Sequence, residues 1–373
     1  MASEDSLDHP DFYWHLELTN KCMLKCPRCP RTEAKGMYQV TEMDLEFVKK
    51  IFTQERLTKM RRLLLCGGEG DPIYCTDFLE IIRFLKDSKP DLEIKIITNG
   101  SYKKTDWWRE LGRMLNSYDS LIFSIDGWDQ QSNEAYRVNS NWQSIIEGVQ
   151  SVQPTRAHII WSTIYFKFNQ DKIFHIRDLA RALGFDAHLL VYSTLFGHRL
   201  KRYIDPELQL DPLQPDQDKL SRGGRHIKTL EPLSDKLKMS NDFEKIYLER
   251  TKEVQRVSRD WIVSPLCKTG HRALYVSAEG FLYPCSWVSH PFHGLKKSKL
   301  RENVSTTWEE SYFIRSREQF NLRNHDVEQV LNDPFWKMTQ KRWQSSDQTP
   351  LTCEDKCLNT CRGENQHNEM EVS

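Results

Sequence analysis

The sequence lacks a net charge. Its 53 Lys+Arg residues balance 53 Asp+Glu residues over 373 positions. A chain built to grip a polyanion carries a basic excess, so no strong nucleic-acid signal is present, although a local basic groove stays compatible with the balance. Long apolar runs are missing too. Stretches such as Leu63-Leu64-Leu65-Cys66 fall far short of the ~18 residues a membrane span needs, and no membrane-embedded segment is expected. The first ten residues, M-A-S-E-D-S-L-D-H-P, are acidic and have no apolar core of the signal-peptide kind. The expected compartment is cytoplasmic. What remains, 38% hydrophobic and 28% charged residues, is a soluble composition with apolar surface for a substantial core.

Cysteine is not scarce. There are ten, and six of them fall in two tight groups, Cys22/Cys26/Cys29 and Cys353/Cys357/Cys361. In a cytosolic chain, clustered cysteines read as metal ligands or redox groups rather than structural disulfides.

Residues 13–193 alternate short β-like runs with amphipathic helical stretches. The runs are Tyr13–Leu18, Arg61–Cys66, Leu92–Thr98, Ser120–Ile125, Ala157–Phe166 and Ala187–Tyr192. Between them Phe78, Ile81, Ile82 and Leu85 follow helical spacing, as do Trp142, Ile145, Ile146 and Val149,. Leu45, Val48 and Phe52 mark an earlier helix, Trp108, Leu111 and Leu115 a short one, and Ile173, Ile176, Ala180 and Leu183 a later one. Strand starts recur about every 30 residues, the length of a βα unit, which implies α/β architecture with a parallel sheet and outer helices. Six units are too few for a closed barrel; a partial barrel and an open doubly wound sheet both fit. Residues 1–12 read as an N-terminal extension, 13–199 as this α/β unit and 200–262, with its prolines and charges, as a connector. A small C-terminal α+β unit over 263–361 opens with a hairpin, Ala273–Ser277 and Phe281–Cys285 around Gly280, and continues in two polar helices near Thr307–Phe320 and Asp326–Trp343,. Residues 362–373 read as a disordered tail,.

Directly after the first strand stands Cys22-Met23-Leu24-Lys25-Cys26-Pro27-Arg28-Cys29-Pro30, a C-x3-C-x2-C pattern. Loops at the carboxyl ends of parallel strands build active sites. Three thiolates can hold three irons of a four-iron cubane and leave one open to a substrate or cofactor. The competing reading is a zinc site completed by a distant ligand such as His15, although zinc more often takes paired C-x2-C knuckles.

The triad, followed by the glycine-rich end of the second strand, resembles the radical S-adenosylmethionine (radical SAM) enzymes over residues 13–195. Arg28 departs from the aromatic residue usual there, without touching the ligand count. The resemblance implies a partial (β/α)6 TIM-like barrel and an open iron that binds SAM. It implies reductive cleavage of SAM to methionine and a 5′-deoxyadenosyl radical, which abstracts hydrogen from the substrate. Cys66-Gly67-Gly68-Glu69-Gly70-Asp71-Pro72 resembles the family's G-G-E-P, which holds the cofactor's ammonium. Counting from the strand makes Glu69 the carboxylate; aligning on the proline makes it Asp71. Asn99 in T-N-G and Ser124 and Asp126 in S-I-D-G resemble positions near the cofactor's carboxylate and ribose. Arg137 in N-E-A-Y-R is a bidentate partner for that carboxylate, and Asn169 after the fifth strand is similarly placed. Cys267-x12-Gly280-x4-Cys285 resembles the opening of a SPASM or shorter twitch extension. That likeness implies a second, auxiliary [4Fe-4S] cluster held by Cys267 and Cys285 with Cys353 and Cys357, Cys361 being the substitute for one of them. Implied partners are a peptide, protein or small-molecule substrate, for oxidation or cross-linking, and an electron donor such as flavodoxin or ferredoxin. The contrasting reading is a non-catalytic, zinc-stabilised binding module.

Overall fold

The computed structural model describes residues 12–33, 39–68, 70–191, 213, 215, 228–234, 273–283, 286, 289 and 316–336. Along the chain run β1 (Tyr13–Leu16), α1 (Pro30–Glu33), α2 (Leu45–Ile51), α3 (Gln54–Lys59), β2 (Arg62–Leu65), α4 (Phe78–Ser88) and β3 (Glu93–Thr98). There follow α5 (Thr105–Met114), β4 (Ser120–Ser124), α6 (Gln130–Glu134), α7 (Trp142–Val152), β5 (His158–Ile164), α8 (Ile173–Ala182) and β6 (Ala187–Val191). The remaining described elements are β7 (Lys228–Pro232), β8 (Ala273–Val276), β9 (Leu282–Tyr283) and α9 (Val327–Leu331). All six expected strands are present, each trimmed by one to three residues where the chain leaves its ladder. The helix expected around Leu45–Phe52 is followed by a second one, α3, because the Thr53 hydroxyl caps a new start at the Arg56 amide,.

The chain divides into two compact units. The first comprises residues 1–22, 28–97 and 254–367. Its described strands run in the order β3-β2-β1-β8-β9, with β1 parallel to both β2 and β8 and β2 parallel to β3. The hairpin expected to open a separate C-terminal unit thus continues the sheet of β1. Its second strand, β9, returns antiparallel. Strand alternation sorts the side chains of this sheet by chemistry. One face carries Trp14, Leu16, Leu63, Leu65, Ile94, Ile96, Leu274 and Val276, all buried. Trp14 on that face meets Phe52 edge-on at 5.3 Å, so it is the helix-covered side. The opposite face is mixed, carrying Arg62, Glu93, His15, Lys95 and Tyr275 together with Tyr13, Leu64 and Ala273.

The second unit comprises residues 23–27, 98–253 and 368–373. Here β4, β5 and β6 pair in parallel, and β7 closes the edge antiparallel to β6. Its core is aromatic. The Trp108 ring lies 5.2 Å from that of Phe123, and the Trp161 ring 5.1 Å from that of Phe185. Gly148 of α7 makes room for Trp108, since a Cβ there would sit 2.4 Å from the indole nitrogen. In both units mixed α/β architecture with parallel strand pairing agrees with the expected class. The predicted helix over Asn241–Arg256, Cys267, Cys285, Cys353, Cys357 and Cys361 lie outside the described residues; of the predicted C-terminal helices the described residues include the 3₁₀ turn Arg317–Phe320, α9 and a helical start at 334–336.

Candidate active site

The three cysteines follow β1 on one stretch of chain. Cys26 is buried, and Cys22 and Cys29 are partly exposed. In the first unit the approach to Cys22 is stitched to the loop that follows β2. The Asp71 amide donates to the Lys21 carbonyl at 2.9 Å, and the Gly70 amide donates to the Glu17 carboxylate at 2.9 Å. Only glycine fits at position 70, because a Cβ would lie 1.9 Å from the Thr19 carbonyl oxygen. Gly67 has the same need, its Cβ position being 2.0 Å from the Gly70 oxygen. The glycines beside Gly68 therefore do what a ligand-cradling turn needs: they let two backbones approach.

Asp71 is 5% exposed. Its Oδ1 accepts from the Ile73 amide at 3.3 Å and caps the 3₁₀ turn Pro72–Tyr74. Glu69 lies outside the described residues. His15, offered above as a fourth zinc ligand, is buried on β1, and its Nε2 stands 2.8 Å from the Cys66 carbonyl oxygen. A carbonyl only accepts, so that nitrogen carries the proton. Burial pushes the His15 pKa down to about 4, against the carbonyl's opposite pull, and the ring is neutral at pH 7.

In the second unit the cysteine loop is tied to the turn after α6. Lys25 donates its amide to the Val138 carbonyl at 2.9 Å. Asn139, left-handed at φ 69, donates its side-chain amide to the Met23 carbonyl at 2.7 Å. Between these contacts stands Arg137, which the structure places beyond the end of α6 rather than on a helix. Its Nε donates to Asp126 Oδ2 at 2.6 Å. The other Asp126 oxygen accepts from the Ile164 amide at 2.7 Å. Burial opposes charge on both partners and raises the Asp126 pKa; the Asp126 carboxylate and the Cys26 sulfur nevertheless hold the guanidinium firmly protonated. Arg137 is thus a buried cation that interacts electrostatically with Cys26.

Asn169 is fully buried and spans this network. Its amide nitrogen donates to the Asp126 and Ile164 carbonyls at 2.9 and 2.8 Å, while its oxygen accepts from the Phe166 amide at 2.8 Å. Asn99 closes an Asx turn onto the Ser101 amide at 2.9 Å,. Ser124 ends β4, partly exposed. The structure thus brings Asp126, Arg137 and Asn169 together in one unit and the glycine loop against the Cys22 approach in the other. Glu17 belongs to none of the motifs above, yet it is a buried member of this site. A signal was available, since a carboxylate two residues past His15 continues the His15 face of β1 into a loop where only water or a dedicated donor can satisfy it.

These residues fit an iron–sulfur cluster by donor chemistry, three thiols on one stretch of chain,. Among the described residues no three His, Cys, Asp or Glu side chains converge as around a single ion; thiolates of a cubane are spread over separate irons.

Comparison with known proteins agrees. Residues 16–172 match the family model of the radical SAM superfamily. Molybdenum cofactor biosynthesis protein 1 of Drosophila melanogaster is 27% identical over 207 residues, 52% of this chain and 34% of that protein. The match therefore spans about a third of that relative's length. Among solved structures, native anSMEcpe with bound AdoMet superposes with a TM-score of 0.52 at 12% identity, over 96% of this chain and 95% of that one. Streptococcus suis SuiB bound to precursor peptide SuiA gives 0.52 at 14% identity, over 87% and 66%. Both likenesses are of fold. No helix among the described residues is long and apolar enough to cross a membrane.

Proposed function

We propose that the chain is a radical SAM enzyme that cleaves SAM to methionine and a 5′-deoxyadenosyl radical and abstracts hydrogen from its substrate. The observation that carries this reading is the seam between the C-x3-C-x2-C loop and the glycine loop, closed by the Asp71 amide on the Lys21 carbonyl at 2.9 Å. When bound, a [4Fe-4S] cluster supplies the electron that breaks the sulfonium. Cys22, Cys26 and Cys29 would hold it, with Arg137 the charged neighbour of Cys26. Gly67 and Gly68 belong to the loop that receives the cofactor's amino-acid end. Glu69 is favoured for its ammonium, because the Asp71 carboxylate is engaged in capping the Ile73 amide. Arg137 takes the cofactor's carboxylate with the face that Asp126 leaves free, and Asn99, Ser124 and Asn169 shape the surrounding turns.

The substrate class we favour is a peptide or protein, on the fold likeness to SuiB bound to its precursor peptide; a small molecule is the alternative, and oxidation or cross-linking the expected outcome. Cys267 and Cys285 with Cys353 and Cys357, Cys361 being the substitute for one of them, hold a second, auxiliary cluster in a SPASM- or twitch-like segment, and a flavodoxin or ferredoxin supplies electrons. Anaerobically prepared protein is expected to contain about eight irons with matching sulfide, two four-iron clusters. Replacing Cys22, Cys26 and Cys29 together by alanine should remove half. Stoichiometric zinc without sulfide would overturn the reading in favour of a structural metal.

A further inference from the structure

We propose that Glu17 and Tyr275 form a positioning pair through which the 273–283 hairpin sets the glycine loop for cofactor binding. This rests on the reading of residues 66–72 as the cofactor loop. Glu17 lies just past β1 and is 1% exposed; Tyr275, on β8, is fully buried. One Glu17 carboxylate oxygen accepts from the Gly70 amide at 2.9 Å, and the other accepts from the Tyr275 hydroxyl. The Glu17 amide in turn donates to the Val276 carbonyl at 2.9 Å. One residue is therefore anchored to β8 at its backbone and reaches from β8 to the glycine loop with its side chain.

The arrangement is constrained because a buried carboxylate is tolerated only while donors satisfy it. Two of its donors come from segments 53 and 258 residues away in sequence. Moving either one removes a hydrogen bond from a carboxylate that is 1% exposed. Gly70 has no slack to absorb such a shift, with its Cβ position 1.9 Å from the Thr19 oxygen. The phenol has little freedom either, since its ring packs edge-on against His15 at 4.8 Å. Where Tyr275 places its hydroxyl, Gly70 follows, and Gly67, Gly68 and Asp71 ride on the same loop. Cys285 stands two residues after β9 in sequence, so the strand pair that leads toward the C-terminal cysteines also holds the loop of the first site.

The test uses the full-length protein with reconstituted clusters. Tyr275→Phe removes one hydroxyl and no packing. It should leave iron content unchanged, weaken SAM binding measured by calorimetry about tenfold, and speed amide exchange over 67–72 but not over 120–124. Glu17→Gln, whose amide still accepts from Gly70 and donates toward the Tyr275 oxygen, should stay within about threefold of the parent affinity. Tyr283→Phe, altering the neighbouring phenol whose ring centre is 5.9 Å away, should leave affinity and loop exchange unchanged. Parent-like affinity and exchange in Tyr275→Phe would overturn the pair. So would equal losses in Tyr275→Phe and Tyr283→Phe, which mark general loosening of the hairpin. Failure of the parent protein to bind SAM would overturn the functional reading instead, and the exchange comparison, which needs no cofactor, then decides the pair alone.

Discussion

Substituting Gly70 by alanine isolates the seam that joins the two site loops. The added methyl would lie 1.9 Å from the Thr19 carbonyl oxygen and 2.7 Å from the Asn20 Cα, both backbone atoms that no rotamer change can move. Relief requires the glycine loop to withdraw by more than an ångström, which breaks the Gly70 amide's bond to Glu17 and the Asp71 amide's bond to Lys21, each 2.9 Å long. A hydrogen bond to a charged acceptor contributes about 1.5–3 kcal/mol and a neutral one about 1 kcal/mol. Against this stands the ~0.4–1 kcal/mol by which alanine restricts the unfolded chain. The net cost is about 2–3 kcal/mol, read as a lowered urea midpoint, together with loss of SAM binding. Gly112→Ala is the comparison. There the methyl meets the Val152 Cγ2 at 3.1 Å, a side-chain atom able to give, and helix propensity gains about 1 kcal/mol. That variant should remain within about 1 kcal/mol of the parent. If Gly70→Ala matched it in stability and still bound SAM, the seam would not hold the loops as argued.

The Asp126–Arg137 pair supplies a second outcome. Arg137→Gln leaves a fully buried carboxylate with the Ile164 amide as its remaining donor and should cost about 3–5 kcal/mol, while the double variant with Asp126→Asn should cost less than the sum of the singles in a denaturation cycle. A third concerns pH. The folded pKa of His15 is about 4 against 6.5 for a free ring, so unfolding takes up a proton as pH falls between those values. Stability present above pH 6.5 is lost through that window, about 2 kcal/mol between pH 7 and pH 5. His188, lowered to about 4 by burial and then by Arg177, adds in the same direction. His15→Gln should flatten the urea-midpoint profile by its share, and an unchanged slope would mean that His15 is not buried neutral.

Much of this was legible in the sequence because short-range patterns carry it. Apolar runs such as Leu63-Leu64-Leu65 and helical stripes such as Phe78, Ile81, Ile82 and Leu85 each encode their own element, and the cysteine spacing encodes its loop. The parallel pairing of β8 with β1 was not legible, because Tyr275 and His15 are 260 residues apart and nothing local in either strand names its partner. For the same reason Asp126 and Arg137 appeared as separate cofactor contacts, whereas in the structure they first hold each other. Glu17 stands outside every motif, and a carboxylate in a loop reads as solvated until the Gly70 amide and Tyr275 hydroxyl are seen around it.

The central claim is that the cysteine loop and the glycine loop together bind and cleave SAM, and product analysis tests it most directly. Anaerobically reconstituted protein, reduced and supplied with SAM, should form 5′-deoxyadenosine and methionine in equal amounts, and the variant lacking Cys22, Cys26 and Cys29 should form neither. Intact SAM in the presence of a fully assembled, reducible cluster would contradict the account.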